Sequence, residues 1–154
     1  MKLRTDTVSA VDLSTTPVHL GLGSRAMPVE GFAWDPEALE AYGAAVAADG
    51  AEGRMVMIFD GDASWTSWER HPGGDEVVVC LEGRITMIRE VDGDNEAVDL
   101  RPGEATINPP GIWHTADIEE PSRILTITPG IGTEHRPREV PTSVDAARGA
   151  VITT

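Results

Sequence analysis

The chain of 154 residues has one cysteine, one tyrosine and two phenylalanines, and 12 basic residues against 26 acidic ones. Each scarcity excludes something. A lone thiol, Cys80, cannot close an intrachain disulfide, which is compatible with a reducing compartment. The formal charge of −14 opposes contact with phosphate backbones and anionic lipid, so neither nucleic acid nor a membrane is expected as a partner. No apolar run approaches the ~18 residues of a membrane span. No apolar stretch follows Lys2 and Arg4, so no secretory signal is expected and a cytoplasmic location is. Internal repeats and low-complexity tracts are absent too. What remains is a globular composition, 40% hydrophobic and 25% charged, at a length that suits one domain.

Three stretches differ in character. Residues 1–52 read as an N-terminal arm with one helix, 53–130 as a strand-rich core, and 131–154 as a C-terminal arm, all within one domain. The helix begins at Asp35, a good N-cap, followed by Pro36 at the first helical position and by Glu37 and Glu40 near the positive end of the dipole. Leu39, Tyr42 and Val46 share one face, which should lie against a sheet, and the run should continue to Ala48 before Gly50 stops it.

From Gly53 the pattern changes to short strands over 54–59, 64–70, 76–81, 84–91, 97–100, 104–108, 112–118 and 123–128. Turn clusters separate them, among them Pro72-Gly73-Gly74-Asp75, Glu82-Gly83 and Pro109-Pro110-Gly111. Many short, evenly spaced strands imply an all-β sandwich or barrel.

Two histidines sit at strand ends beside other possible ligands. Alternate residues of a strand face one side, so Glu69 and His71 can point together. A glycine-rich turn then reverses the chain, and Glu76 opens the next strand. His114 arrives from a separate strand after Pro109-Pro110-Gly111. Two imidazoles and one carboxylate make the facial triad of non-haem iron sites, with positions left open. Glu69 adds a second oxygen donor. That harder set favours Fe²⁺ or Mn²⁺ over Zn²⁺ or Ni²⁺ for one divalent ion. Glu69 and Glu76 are also the candidate catalytic carboxylates, should either be free to act as a base.

The spacing resembles the cupin superfamily. Its first motif, Gly-x5-His-x-His-x(3,4)-Glu-x6-Gly, is met by Glu69-x-His71-x4-Glu76-x6-Gly83, with Glu69 in place of the first histidine and Ala63 in place of the leading glycine. Its second, Gly-x5-Pro-x-Gly-x2-His-x3-Asn, is met by Gly103-x5-Pro109-x-Gly111-x2-His114, with Ile118 in place of the asparagine. The resemblance implies a double-stranded β-helix, or jelly-roll barrel, with one short N-terminal helix and extended terminal arms. It also implies metal ligation by His71, Glu76 and His114, with Glu69 at the fourth position.

Strand parity extends the site. Ser67 and Trp65 should face inward with Glu69; Val78 and Cys80 with Glu76; Ile112, Ala116 and Ile118 with His114. Such an apolar interior suits a small organic molecule whose oxygens reach the metal. The alternative is that Trp65, Val78 and Ile112 simply fill the barrel, and that Cys80 is a small buried hydrophobe. Trp68 and Trp113, on the opposite parity, should pack between sheet and arms. His19 and His135 fall in the arms.

The expected function is a metal-dependent enzyme acting on a small organic substrate, with a dioxygenase as the first reaction class. Isomerase, lyase or cyclase chemistry and a non-enzymatic small-molecule-binding barrel are the alternatives. A sugar-epimerising barrel wants a histidine base with a tyrosine acid, and the only tyrosine is Tyr42, in the helix. A homodimer is expected, formed through sheet edges or exchanged arms.

Overall fold

The computed structural model describes residues 9–139. The N-terminal and C-terminal ends of the two expected arms, 1–8 and 140–154, lie outside the described residues.

Strands β1 (Val18–Gly21) and β2 (Arg25–Pro28) precede helix α1 (Pro36–Val46) and a 3-10 segment over Ala47–Glu52. Eight strands follow: β3 (Arg54–Gly61), β4 (Ser67–Arg70), β5 (Glu76–Glu82), β6 (Ile85–Val91), β7 (Asp94–Leu100), β8 (Ala105–Asn108), β9 (His114–Ile118) and β10 (Ser122–Thr128). Strand β11 (Glu134–Pro137) is the last. All pairings are antiparallel, in a six-stranded sheet β2-β1-β3-β10-β5-β8 and a five-stranded sheet β11-β4-β9-β6-β7. The chain is therefore all-β, and eight strands stand where eight were read.

The core lies between the sheets. Val78, Cys80, Ile85, Met87, Leu100, Ala116, Ile118 and Ile124 form one buried cluster, with Phe59, Trp65 and Val98 packed against it. Polar residues alternate outward on β6 and β9, where Thr86 faces Asp99 and Asp117. That is the pattern of strands with one wet face.

Three expectations change. The arms are not mere coverings: β1 and β2 extend one sheet past β3, and β11 extends the other past β4. The strand expected over 64–70 begins at Ser67, and that over 112–118 begins at His114. Helix α1 is capped as expected, Asp35 accepting from the Ala38 amide at 2.9 Å, but it ends at Val46 and buries no residue. Leu39 remains 41% exposed. Three apolar residues among alanines make too narrow a stripe to seat on a sheet. The segment is held by its polar groups instead. His19, buried on β1, contacts the Tyr42 hydroxyl through Nδ1 and Asp49 through Nε2, each at 2.8 Å.

Two glycines of the motifs have steric reasons. Gly83 sits at φ +79°, and a Cβ there would lie 2.5 Å from the Pro121 carbonyl oxygen. Gly111 turns at φ +72°, and its amide donates to the His71 carbonyl at 3.2 Å. That bond ties the two motif turns together at one end of the barrel. Among the described residues no helix is long and apolar enough to cross a membrane.

Candidate metal centre

Four side chains converge at that end. Glu69 lies on β4 directly opposite His114 on β9, and the two are paired in register. His71 follows β4 at the start of the glycine turn. Glu76 opens β5 in the facing sheet. One donor atom from each of the four lies within 4.8 Å of all the others. The His71 and His114 rings are 5.2 Å apart and tilted by 41°. Their Nε2 atoms lie 3.4 and 2.9 Å from the two oxygens of Glu76, and 3.8 and 3.6 Å from Oε1 of Glu69.

Three of the four are oriented from behind. The Nδ1–H of His114 donates to the Ile112 carbonyl at 3.1 Å, which leaves Nε2 with its lone pair facing the cluster. Thr133 Oγ1 lies 2.9 Å from Nδ1 of His71 and 3.2 Å from the Gly130 carbonyl. A hydroxyl donating to that carbonyl accepts from His71, so this imidazole too presents a bare Nε2. Glu76 accepts from Thr128 Oγ1 at 2.7 Å and from Asn108 Nδ2 at 3.1 Å. Such outer partners hold ligands in their working orientation.

Both Nε2 atoms are buried and make no hydrogen bond, although carboxylate oxygens lie within ion-pair distance. Two buried acceptors without donors, facing two carboxylates, are costly unless a cation satisfies them. The residues therefore fit a divalent metal ion, and Glu69, His71, Glu76 and His114 could hold it. The electrostatics agree. Burial works against ionised Glu69, yet His114 and His71 hold its carboxyl down to about 2. Burial also opposes ionisation of Glu76, and the same imidazoles hold it well below the usual range. Burial would lower both imidazoles, but Glu69 and Glu76 hold each up at about 9. The carboxylates are thus ready as anions, and a bound cation would take the place of protons on the histidines.

Burial is uneven. His71, Glu76 and His114 side chains are 3%, 2% and 1% exposed, whereas Glu69 is 21% exposed. The open side of the cluster is the Glu69 side. There His135, from the middle of β11, brings Nε2 to 3.3 Å from the outer oxygen of Glu69.

The other expected site residues separate into two groups. Val78 and Cys80 face inward with no exposed surface and belong to the apolar core, with Trp65 packed against it. The Cys80 thiol donates to the Glu82 carbonyl at 3.4 Å. Ser67 and Ile112 are half-buried, and Ile112 serves the site through its carbonyl. Trp68 and Trp113 lie on the outer side, stacked with Arg136 at 5.2 and 4.5 Å. Thr128, Asn108, Thr133 and His135 are the residues that sequence reading did not single out as part of the site. Asn108 ends β8, just before Pro109 of the second motif, and that position was its only linear signal.

Compared with known families, residues 55–128 match Cupin_2, described as "Cupin domain". Residues 55–128 are a cupin domain. No curated protein matches the chain by sequence. Solved structures similar to the cupin domain include a cupin-2 domain containing protein from Shewanella frigidimarina NCIMB 400, at 21% identity over 55% of this chain and 71% of that one, TM-score 0.42. Hydroquinone 1,2-dioxygenase from Sphingomonas sp. TTNP3 is similar at 17% identity over 49% of this chain and 58% of that one, TM-score 0.42. Hydroxypropylphosphonic acid epoxidase from S. wedmorenis is similar at 14% identity over 49% and 43%, TM-score 0.43. The match spans less than two thirds of either enzyme's length.

Proposed function

We propose that this cupin domain is a metal-dependent enzyme acting on a small organic substrate that approaches from the Glu69 side. The observation that carries the proposal is the pair of buried, unpartnered Nε2 atoms set against two ionised carboxylates. Purely structural histidines would be hydrogen-bonded at both nitrogens.

The donor set of two imidazoles and two carboxylates favours Fe²⁺ or Mn²⁺ over Zn²⁺ or Ni²⁺. A bound Fe²⁺ would supply chemistry with O₂, and a redox-inert ion would polarise a substrate oxygen. On this reading the first reaction class is oxygenation. The chain's own residues do the rest. His71 and His114 are locked in one tautomer. Glu76, with Thr128 and Asn108 on its oxygens, is a fixed anion with little freedom to act as a base. Glu69 is the carboxylate with an open side, and His135 touches its outer oxygen. Glu69 could take a substrate proton at Oε2 only where it is not itself a ligand of the ion, the case that would favour an isomerase or lyase reading with a redox-inert ion.

Elemental analysis tests the proposal on protein purified without an affinity tag or chelator. About one equivalent of iron or manganese is expected, and His114→Ala should lose it. Protein that takes up no metal after reconstitution would overturn the reading.

A further inference from the structure

Among the described residues, five buried side-chain polar atoms have no hydrogen-bond partner. Two are the Nε2 atoms of His71 and His114. Two more are Nε of Arg89 and Oδ1 of Asn108. The fifth, Nε of Arg123, faces Asp60 in an ion pair. Register places Arg89 and Asn108 beside the metal centre. Arg89 on β6 is paired with His114 on β9, and Asn108 on β8 with Glu76 on β5. Directly opposed residues share a face, with Cβ atoms about 5 Å apart. Ile85 and Met87, earlier on β6, belong to the core, so Arg89 points inward by parity. Its guanidinium reaches the facing sheet, where Nη1 donates to the Ile107 carbonyl at 2.9 Å, next to Asn108 in the chain.

The charge of Arg89 is unanswered. Six other arginines among the described residues pair with a carboxylate. Arg89 pairs with none of the described ones, and its exposed register partner Glu96 makes no ion pair with it. Arg54 and Arg101 share that condition, but Arg101 is exposed and Arg54 lies on the outward parity of β3. With Nη1 committed, the donors left to Arg89 are Nε–H and Nη2, one planar fork that matches a carboxylate. Holding such a fork partly buried without an anion is costly. Charge balance points the same way. A divalent ion and the carboxylates of Glu69 and Glu76 would sum to zero, so Arg89 leaves one positive charge for a monoanion to cancel.

We infer that the substrate is a small organic monocarboxylate and that Arg89 binds its carboxylate on the Nε/Nη2 fork. The inference rests on the reading of the centre as that of a metal-dependent enzyme, and it names the substrate class. Glu69 and Arg89 flank His114 in register, one on each side. Neighbouring strands are about 4.8 Å apart, so a molecule of a few atoms lying along this row reaches from the open Glu69 side to the fork.

Titration calorimetry on the Mn²⁺-loaded full chain tests this. The probes are glycolate, pyruvate, benzoate and salicylate, each set against its uncharged amide. At least one carboxylate should bind, and more tightly than its amide by about tenfold or more. Arg89→Gln should weaken that binding about ten- to a hundredfold and abolish the preference over the amide. Elemental analysis should find the same metal content in this variant as in the wild type. Arg89→Lys keeps the charge without the fork and should fall between the two; it replaces Arg89→Gln if that variant does not fold. Metal-loaded wild type that binds none of the four carboxylates, or binds the amides equally well, would overturn the inference. So would a variant that binds the carboxylates as the wild type does. Wild-type protein that takes up no metal is a different failure, since it sinks the underlying reading before any carboxylate is added.

Discussion

Thr133 separates orientation from ligation at the centre. It offers no atom to a metal, yet it fixes which nitrogen His71 presents. Thr133→Val should lower metal affinity about ten- to hundredfold, and Thr133→Ser should keep it. Competition with a coloured chelator measures both. The metal-free centre has its own signature in pH. His71 and His114, raised from 6.5 to about 9, stabilise the fold fully below pH 6.5 and lose that contribution as pH rises through 9. Glu69, lowered from 4.5 to about 2, contributes above pH 4.5 and loses it as pH falls through 2. Metal-free protein should therefore melt highest between pH 4.5 and 6.5, with the melting temperature falling on both sides. At this scale Glu69, His71 and Glu76 were legible from strand parity and turn spacing, which are linear properties, and His114 from its place in the second cupin motif. Thr128, Asn108 and Thr133 were not. Their contacts depend on which strands lie side by side, and no local spacing encodes that.

Among the elements, β11 has the largest effect for its length. Four residues carry Arg136 between Trp113 and Trp68, with Glu90 accepting from its guanidinium at 2.6 Å. Arg136→Ala should cost about 1–2 kcal/mol in urea unfolding, the sum of two half-exposed stacking contacts and a partly screened ion pair. It should also weaken metal binding, because β11 follows directly on Thr133 and places His135. Gly83→Ala tests the β5–β6 turn. Positive φ and a clash with the Pro121 backbone should together cost about 2–4 kcal/mol. Helix α1 shows where reading by element stops. Its cap was written locally in Asp35-Pro36, and so was legible. Its packing partner was not, because Tyr42 and Asp49 engage a histidine some 20 to 30 residues earlier.

For the whole molecule, the proposed metal would link binding to folding. An ion that binds only the folded chain, at a free concentration a hundred times its Kd, adds about 2.7 kcal/mol of stability. For a domain of this size the melting temperature should drop by about 5–10 °C on treatment with chelator and recover on adding the ion back. Calorimetry at fixed pH measures it. The barrel was legible at this scale from eight short strands and two spaced motifs. The pairing of the end segments into the sheets was not, since β1, β2 and β11 are short and weakly patterned.

The placement of β11 also sets an order in time. A ribosome delivers the chain from its N-terminus, so Glu69, His71, Glu76 and His114 all emerge before Thr133 and His135. A nascent chain already holds every donor while still lacking the hydroxyl that aims one of them. On the proposed reading, tight metal binding waits for residue 133 to emerge, and a chain cut short before it would keep its donors and lose the hydroxyl that orients His71.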